Sequence, residues 1–501
     1  MTEQEYLTKL VACDTSSGGK EEPGNRTVVE LMRRHFLACG LVTLTYEVDN
    51  EVTQNLLALS PAVLTRVKDA RLAAASDAAG MATARATGAT NLPGPQLGLL
   101  LSGHSDCVPF AAAAWQSDPL TLTEREGKLY GRGTCDMKGY LACMMVVAEK
   151  LWAKASKTNQ ALPALSYLVT CNEETSMSGA VSARPLLEVP LTSAYFTNLK
   201  IEAGDSAEAQ ALKNALLQEP TLFSSWLKAE PQANLAHNAA AAVASAPAPA
   251  APTTPLLEAK PARFDLILIG EATLMQVVCG HKGWMARDLH LYGKSGHSSD
   301  PERGFNALAL TEVALGAFSE WQSKLKQYSV DAHFAIPFAT SNLGLISGGH
   351  GYNSICDDIK IGFDIRPTPT ISLAKIELCL GEMLHTINST LPQRKSFTID
   401  QAELTTPFPD TPAFANDDAA SLQLLKEVLP EDTTYSYVNY CTEASFLQDL
   451  GPCVVMGPGS IEQAHTVDEF VEAAQLPLCT TTLLNISALA TCKYAQAHTQ
   501  A

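Results

Sequence analysis

Apolar runs along this chain keep ending in groups that bind metal ions. Leu99-Leu100-Leu101-Ser102-Gly103-His104-Ser105-Asp106 is the first. Leu165-Ser166-Tyr167-Leu168-Val169-Thr170 leads to Glu173 and Glu174, and Phe264-Asp265-Leu266-Ile267-Leu268-Ile269-Gly270 leads to Glu271. His465 follows the turn Gly457-Pro458-Gly459. Asp136 sits in the Gly-rich stretch Gly131-Arg132-Gly133-Thr134-Cys135-Asp136, ahead of an apolar helix from Tyr140 to Leu151. Short apolar runs bounded by turn residues read as buried strands, and their alternation with helices reads as an α/β sheet. In open sheets of that kind, ligands collect beyond the C-terminal ends of the strands. The chain is thereby confined to folds in which residues far apart in sequence meet along one sheet edge.

Residues i and i+2 of a strand share a face. His104 and Asp106 therefore both point off the end of their strand, so that one can bind an ion while the other holds the ring's far nitrogen. A carboxylate at Asp136 can bridge two cations, one oxygen to each. Adjacent acids at a strand end point to different sides, so one of Glu173 and Glu174 can bind metal while the other stays free as a base. A few imidazoles, several carboxylates and no required thiolate make a donor set suited to a two-zinc hydrolase. Each piece has a plainer reading by itself: a packing pair for His104 and Asp106, a solvated helix start for Glu173-Glu174, a turn residue for Asp136, a strand-end charge for Glu271, a loop histidine for His465. The shared context of the segments is what favours a metal centre.

The ordered motifs resemble a known family, the dizinc aminoacylases and exopeptidases that include acetylornithine deacetylase, succinyl-diaminopimelate desuccinylase and the carboxypeptidase G enzymes. The segments from Gly103 to Phe110, Leu129 to Gly139 and Asn172 to Ser176 match its metal motifs. Ser295-Gly296-His297-Ser298-Ser299 and Asp364-Ile365-Arg366-Pro367 match its smaller domain. The segments from Val438 to Ala444 and Gly457 to His465 point to the acetylornithine deacetylase branch.

That resemblance implies an α/β, discontinuous, dizinc aminopeptidase-like catalytic domain with an inserted α+β dimerisation or lid domain. It implies two divalent metal ions per chain, zinc by expectation and cobalt as an alternative. His104 and Glu271 would bind one ion and Glu174 and His465 the other, with Asp136 bridging them and Asp106 orienting His104. Glu173 would be the general base. His297 would reach across a homodimer to stabilise the oxyanion, Arg366 and Asn353 would hold the substrate's carboxylate end, and Glu443 would lie near its amino group. The peptide after Asp136 would be cis. The implied reaction removes the acetyl group from N2-acetylornithine to give ornithine and acetate, a step of arginine biosynthesis. The nearest rival is the same chemistry on another N-acyl amino acid, such as N-succinyl-diaminopimelate. A remoter rival is a non-catalytic scaffold of the same fold, since such proteins typically lose ligands. One departure from the family pattern is Ala272, where a proline usually follows the metal-binding glutamate.

A chain of 501 residues with 46% hydrophobic content can fill more than one core. The catalytic domain is expected over 1–283 and 400–501, with insertions at about 62–95 and 206–261, and the inserted domain over 284–399. The latter reads as β-α-β-β-α-β: strands Met285–Tyr292, Ser341–Ser347, Lys360–Arg366 and Ser396–Ile399, helices Gly304–Lys326 and Ser372–Thr390. Thr43 to Leu59 reads as one strand, and the first insertion as a surface element with a helix over Val63–Ala75. The tract from Ala239 to Pro255, rich in Ala and Pro, reads as flexible. A net charge of -18 argues against nucleic acid and anionic membrane as partners, and the partner the resemblance implies is a small-molecule N-acyl amino acid. Thirteen scattered cysteines without a Cys-x-x-Cys spacing fit a reducing cytoplasm, and the acidic start Met1-Thr2-Glu3-Gln4-Glu5 lacks an apolar signal core.

Overall fold

The computed structural model describes residues 1–17, 23–76, 95–224, 262–390 and 402–499. Its framework is a ten-stranded mixed sheet. Four strands lie side by side and parallel at its centre, in the order Cys453–Gly457, Leu266–Ala272, Leu99–His104, Leu165–Thr170. Every residue of these four strands is buried. Strands covered on both faces need apolar side chains at odd and even positions alike, which is why they read as unbroken apolar runs. Leu99, Leu101, Leu266, Leu268 and Val454 pack into a core on one face, while Leu100, Ile267, Ile269 and Val455 pack into a second core on the other. Each such side chain contributes roughly 1.5–3 kcal/mol by leaving water.

The helix Lys138–Thr158 lies across the first face and is itself covered by the helices Glu3–Val11 and Gln475–Thr499. That is why it is buried almost without break from Lys138 to Ala148. It comes unusually near the sheet. A Cβ added at Gly270 would meet the Tyr140 ring at 2.0 Å, and the Tyr140 hydroxyl donates to the Leu268 carbonyl at 3.1 Å. Glycine directly before Glu271 is what lets helix and strand approach this closely.

Three sequence expectations need correction or completion. The segment read as one strand is a hairpin, Val42–Val48 paired antiparallel with Asn50–Leu59. Asp49 turns the chain with φ 60°, and the Asn50 side chain accepts the Val52 and Thr53 amides at 2.9 and 3.1 Å, an Asx turn that propensity alone does not reveal. The helix Ala62–Ser76 is not a purely surface element, since Val63 and Val67 are fully buried in the second core. The Ala/Pro tract and the expected strand Ser396–Ile399 lie outside the described residues.

A separate four-stranded antiparallel sheet runs Thr340–Gly348, Asp358–Arg366, Met285–Tyr292, Ala402–Thr405. The helices Ala307–Tyr328 and Leu373–Thr390 close a third core over it, from Met285 to Ala402. The order is β-α-β-β-α-β, with its last strand at Ala402–Thr405. The two crossings to the main sheet run together, joined by the bridge between Trp284 and Thr411. Among the described residues no helix is long and apolar enough to cross a membrane.

Candidate active site

His104 and Glu271 stand at the C-terminal ends of two central parallel strands, Glu174 and His465 on the chain that follows two others, and Asp136 in the loop before the helix Lys138–Thr158, and these acids and imidazoles converge. His104 ends its strand and is buried; its Nε2 lies 2.9 Å from Asp136 Oδ1 and 3.8 Å from Glu271 Oε1. His465, exposed and in the left-handed region at φ 62°, puts its Nε2 2.8 Å from Glu174 Oε2 and 3.5 Å from Asp136 Oδ2. The two Asp136 oxygens thus face different histidines, and the Asp136–Met137 peptide is cis. One ligand atom each of His104, Asp136 and Glu174 falls within 4.8 Å of the others. Glu271 closes the centre from its neighbouring strand, and its buried Oε1 has no hydrogen-bond partner among the described residues.

Electrostatics separate these groups. Burial works against charge on His104, but Asp136 and Glu271 override it and hold the imidazole well above its ordinary value. Asp136 and Glu174 raise His465 to about 10. Burial would raise Asp136, yet the two histidines hold it below the carboxylate range. Burial and mutual repulsion push Glu173 and Glu271 well above their ordinary value, and Glu174 upward as well. So many acids around two imidazoles lack enough positive charge. An unpaired buried carboxylate oxygen and a mixed His/carboxylate set are what divalent cations satisfy, and the residues present fit such a pair.

The loop geometry has local causes. Asp106 accepts the Glu173 amide on Oδ1 and the Glu174 amide on Oδ2, both at 3.1 Å, and the Ser17 hydroxyl at 3.2 Å. Its carboxylate is 3.7 Å from His104 Nδ1, whereas its own backbone carbonyl is nearer, at 3.0 Å. The Asp106 side chain therefore holds the glutamate turn, and it is the backbone carbonyl of the same residue that lies within hydrogen-bond distance of the imidazole. Asn172, at φ 58°, anchors the same turn by donating to Asp49 and Ser178, both at 3.0 Å.

Other expected residues sit apart. His297 is exposed and paired with Ser299 at 2.7 Å, and the Ser298 amide donates to the Asn353 carbonyl at 3.1 Å. The two thus lie together on the smaller sheet domain, and among the described residues neither bonds to the acids of the centre. Arg366 donates to Asp364 at 3.2 Å, the plain strand-end pairing, and its guanidinium also lies beside the Cys441 thiol. Glu443 is fully buried and pushed by burial to about 7, and among the described residues neither of its carboxylate oxygens has a hydrogen-bond partner. Glu469, which carries no motif of its own, is the residue missed: it is fully buried and accepts the amides of Gly133, Cys135 and Asp136. The one available signal was its place four residues beyond His465, an acid in a stretch ending in apolar residues.

A family model described as Peptidase family M20/M25/M40 matches residues 100–488. Acetylornithine deacetylase of Photorhabdus laumondii is 34% identical over 375 residues, 75% of either chain. That of Klebsiella pneumoniae is 35% identical over 378 residues, 75% of this chain and 76% of its own. The fold matches a tripeptidase of Staphylococcus aureus at TM-score 0.57 and 17% identity, over 98% of both chains. It also matches an M20 family metallo-carboxypeptidase of Sulfolobus solfataricus at TM-score 0.56 and 12% identity, over 98% of this chain and 99% of that one.

Proposed function

The chain belongs to peptidase family M20/M25/M40, a family of metallo-hydrolases, and on that premise we propose that it removes the acetyl group from N2-acetylornithine, giving ornithine and acetate. The observation that carries this reading is the meeting of His104, Asp136, Glu174, Glu271 and His465 at one sheet edge. Identity of 33–35% to acetylornithine deacetylases over three quarters of the chain supports the choice of substrate.

His104 and Glu271 would hold one divalent ion, Glu174 and His465 the other, and Asp136 both. Bound there, a zinc pair supplies Lewis acidity, polarising the amide carbonyl and lowering the pKa of water towards neutrality. Glu173 takes the proton of the attacking water and delivers it to the leaving amine. Its burial against neighbouring acids raises its proton affinity, the direction a general base near neutral pH needs. His297 donates to the developing oxyanion from a second copy of the chain. Arg366 and Asn353 receive the substrate's carboxylate. A homodimer is favoured by the edge strand Thr340–Gly348, which among the described residues has a neighbour on one side only and exposes Leu343, Leu345 and Ile346. We place the enzyme in the cytoplasm, working in arginine biosynthesis.

The test is acid release from N-acetylornithine and from N-succinyl-diaminopimelate by metal-stripped protein supplied with Zn²⁺ or Co²⁺. Metal-dependent acetate release from the first alone is expected. Activity on the second alone would keep the chemistry and overturn the substrate.

A further inference from the structure

We propose that Glu469 is a positioning residue for the two-ion centre: its carboxylate fixes the loop that presents Asp136 and ties that loop to the one presenting His465. Both oxygens are fully engaged. Oε1 accepts the Cys135 amide at 2.8 Å and the Asp136 amide at 3.0 Å. Oε2 accepts the Gly133 amide at 2.9 Å and Arg132 Nη1 at 2.7 Å. The side chain is wholly buried, so water competes for none of these bonds.

A buried Arg–Glu pair alone would say little, because an apolar pair of similar volume is often as stable. Here three of the four donors are backbone amides, and one belongs to Asp136 itself. What the carboxylate fixes is therefore the orientation of the peptides that aim Asp136 at the two histidines. Main-chain contacts pull the same way. The Glu469 carbonyl accepts the Gly131 amide at 3.1 Å, and the next residue opens a strand in which Phe470 pairs with Tyr130. The Asp468 carboxylate accepts the Gln116 amide at 2.9 Å, and Arg132 Nη2 donates to the Thr466 carbonyl at 3.4 Å. Since Glu469 lies four residues beyond His465, one side chain sets the 3.5 Å approach of His465 Nε2 to Asp136 Oδ2. Groups behind a metal ligand govern its affinity by holding its direction.

The proposal rests on reading Asp136 as the ligand common to both ions. Glu469→Gln keeps the volume but turns an NH₂ group towards two N–H donors. Zn²⁺ titration calorimetry and the visible absorption of Co²⁺ then report ion by ion. The expected result is binding weakened on the order of 10- to 100-fold for at least one ion. The Co²⁺ spectrum should change, and kcat should fall more than KM rises. Glu469→Asp, whose shorter reach keeps the charge, should fall between the two proteins, and it decides the matter if circular dichroism finds Glu469→Gln unfolded. Wild-type affinity and spectrum for both ions in the folded variants would overturn the proposal, even with a lowered melting temperature, because that is what a purely structural residue gives. A wild-type chain that takes up no pair of ions would instead overturn the reading of the site beneath it.

Discussion

His104 Nε2 lies 2.9 Å from Asp136 Oδ1, although one residue ends a sheet strand and the other sits in a loop entering a helix. Oδ2 of the same carboxylate faces His465, so Asp136 is the hub of the centre. Asp136→Asn should therefore lose metal and activity together, by more than the roughly 100-fold that losses behind a ligand reach. Chelation should lower the melting temperature of the wild type, and added Zn²⁺ should restore it, since a ligand that binds the folded state stabilises it. In Asp136→Asn the zinc response should be largely absent. Calorimetry of the two proteins with and without metal checks this, and an equal zinc response would remove Asp136 from the ligand set.

Glu173 and Glu174 are neighbours whose amides share one acceptor, Asp106. Only Glu174 contacts His465. Glu173→Gln should keep two ions per chain and lose turnover by about 10²- to 10⁴-fold, the usual contribution of a proton-transferring group. Glu174→Gln should lose an ion. Metal analysis beside kcat separates the two, and the reverse pattern would exchange their roles.

How far the sequence spoke varied with the range of the interactions involved. His104, Asp136, Glu174, Glu271 and His465 were legible because each sits in a short local pattern, an apolar run or a glycine-rich loop, that survives without knowledge of partners. Three of the four parallel strands were legible for the same reason, while Cys453–Gly457 was represented only by the turn that follows it. The turn at Asp49 was not legible, because a left-handed residue and an Asx turn override strand propensity over only a few positions. Glu469 was invisible for the opposite cause: its partners are backbone amides more than 330 residues earlier, and an amide has no residue type to recognise. The depth of Glu443 was not legible either, because position beside a motif does not say how far a side chain lies from water.

His297 stands with Asn353 on the smaller sheet domain, away from the acids of its own chain. If it serves the partner's centre, two inactive variants should complement each other. Mixing Glu173→Gln with His297→Ala and allowing exchange should recover roughly a quarter of wild-type activity, one working site in the half of the dimers that are mixed. Activity that stays at the level of the parents after exchange, with mixed dimers demonstrated by native mass spectrometry, would place His297 in its own chain's chemistry or outside it.

Gly270 separates the Tyr140 ring from the strand that carries Glu271. A methyl group there would lie 2.0 Å from ring atoms, and the ring is held by its bond to the Leu268 carbonyl. Gly270→Ala should destabilise the fold by about 1–3 kcal/mol through overpacking, and metal affinity should fall with it as Glu271 is displaced. Urea unfolding of the metal-free protein gives the first quantity and zinc titration the second. A variant as stable as the wild type would show that the helix can retreat from the sheet without cost.

His281 is fully buried, its Nε2 accepting the Thr442 amide at 3.2 Å and its Nδ1 2.9 Å from the Lys282 carbonyl. Burial holds its pKa near 4, against an ordinary value of 6.5. The unfolded chain therefore binds a proton at this residue between those two values while the folded chain does not. Stability must rise with pH across that window, is fully present above about 6.5, and is lost as pH falls towards 4. At 1.36 kcal/mol per pH unit the whole effect is on the order of 3 kcal/mol. His281→Gln keeps an acceptor for the Thr442 amide and cannot titrate. The difference in unfolding free energy between wild type and variant, followed by urea titration from pH 7 to pH 4, should move in the variant's favour by that amount. The metal-site groups titrate in both proteins and cancel, so a difference that stays flat would mean the His281 imidazole is protonated as readily in the folded chain as in the unfolded one.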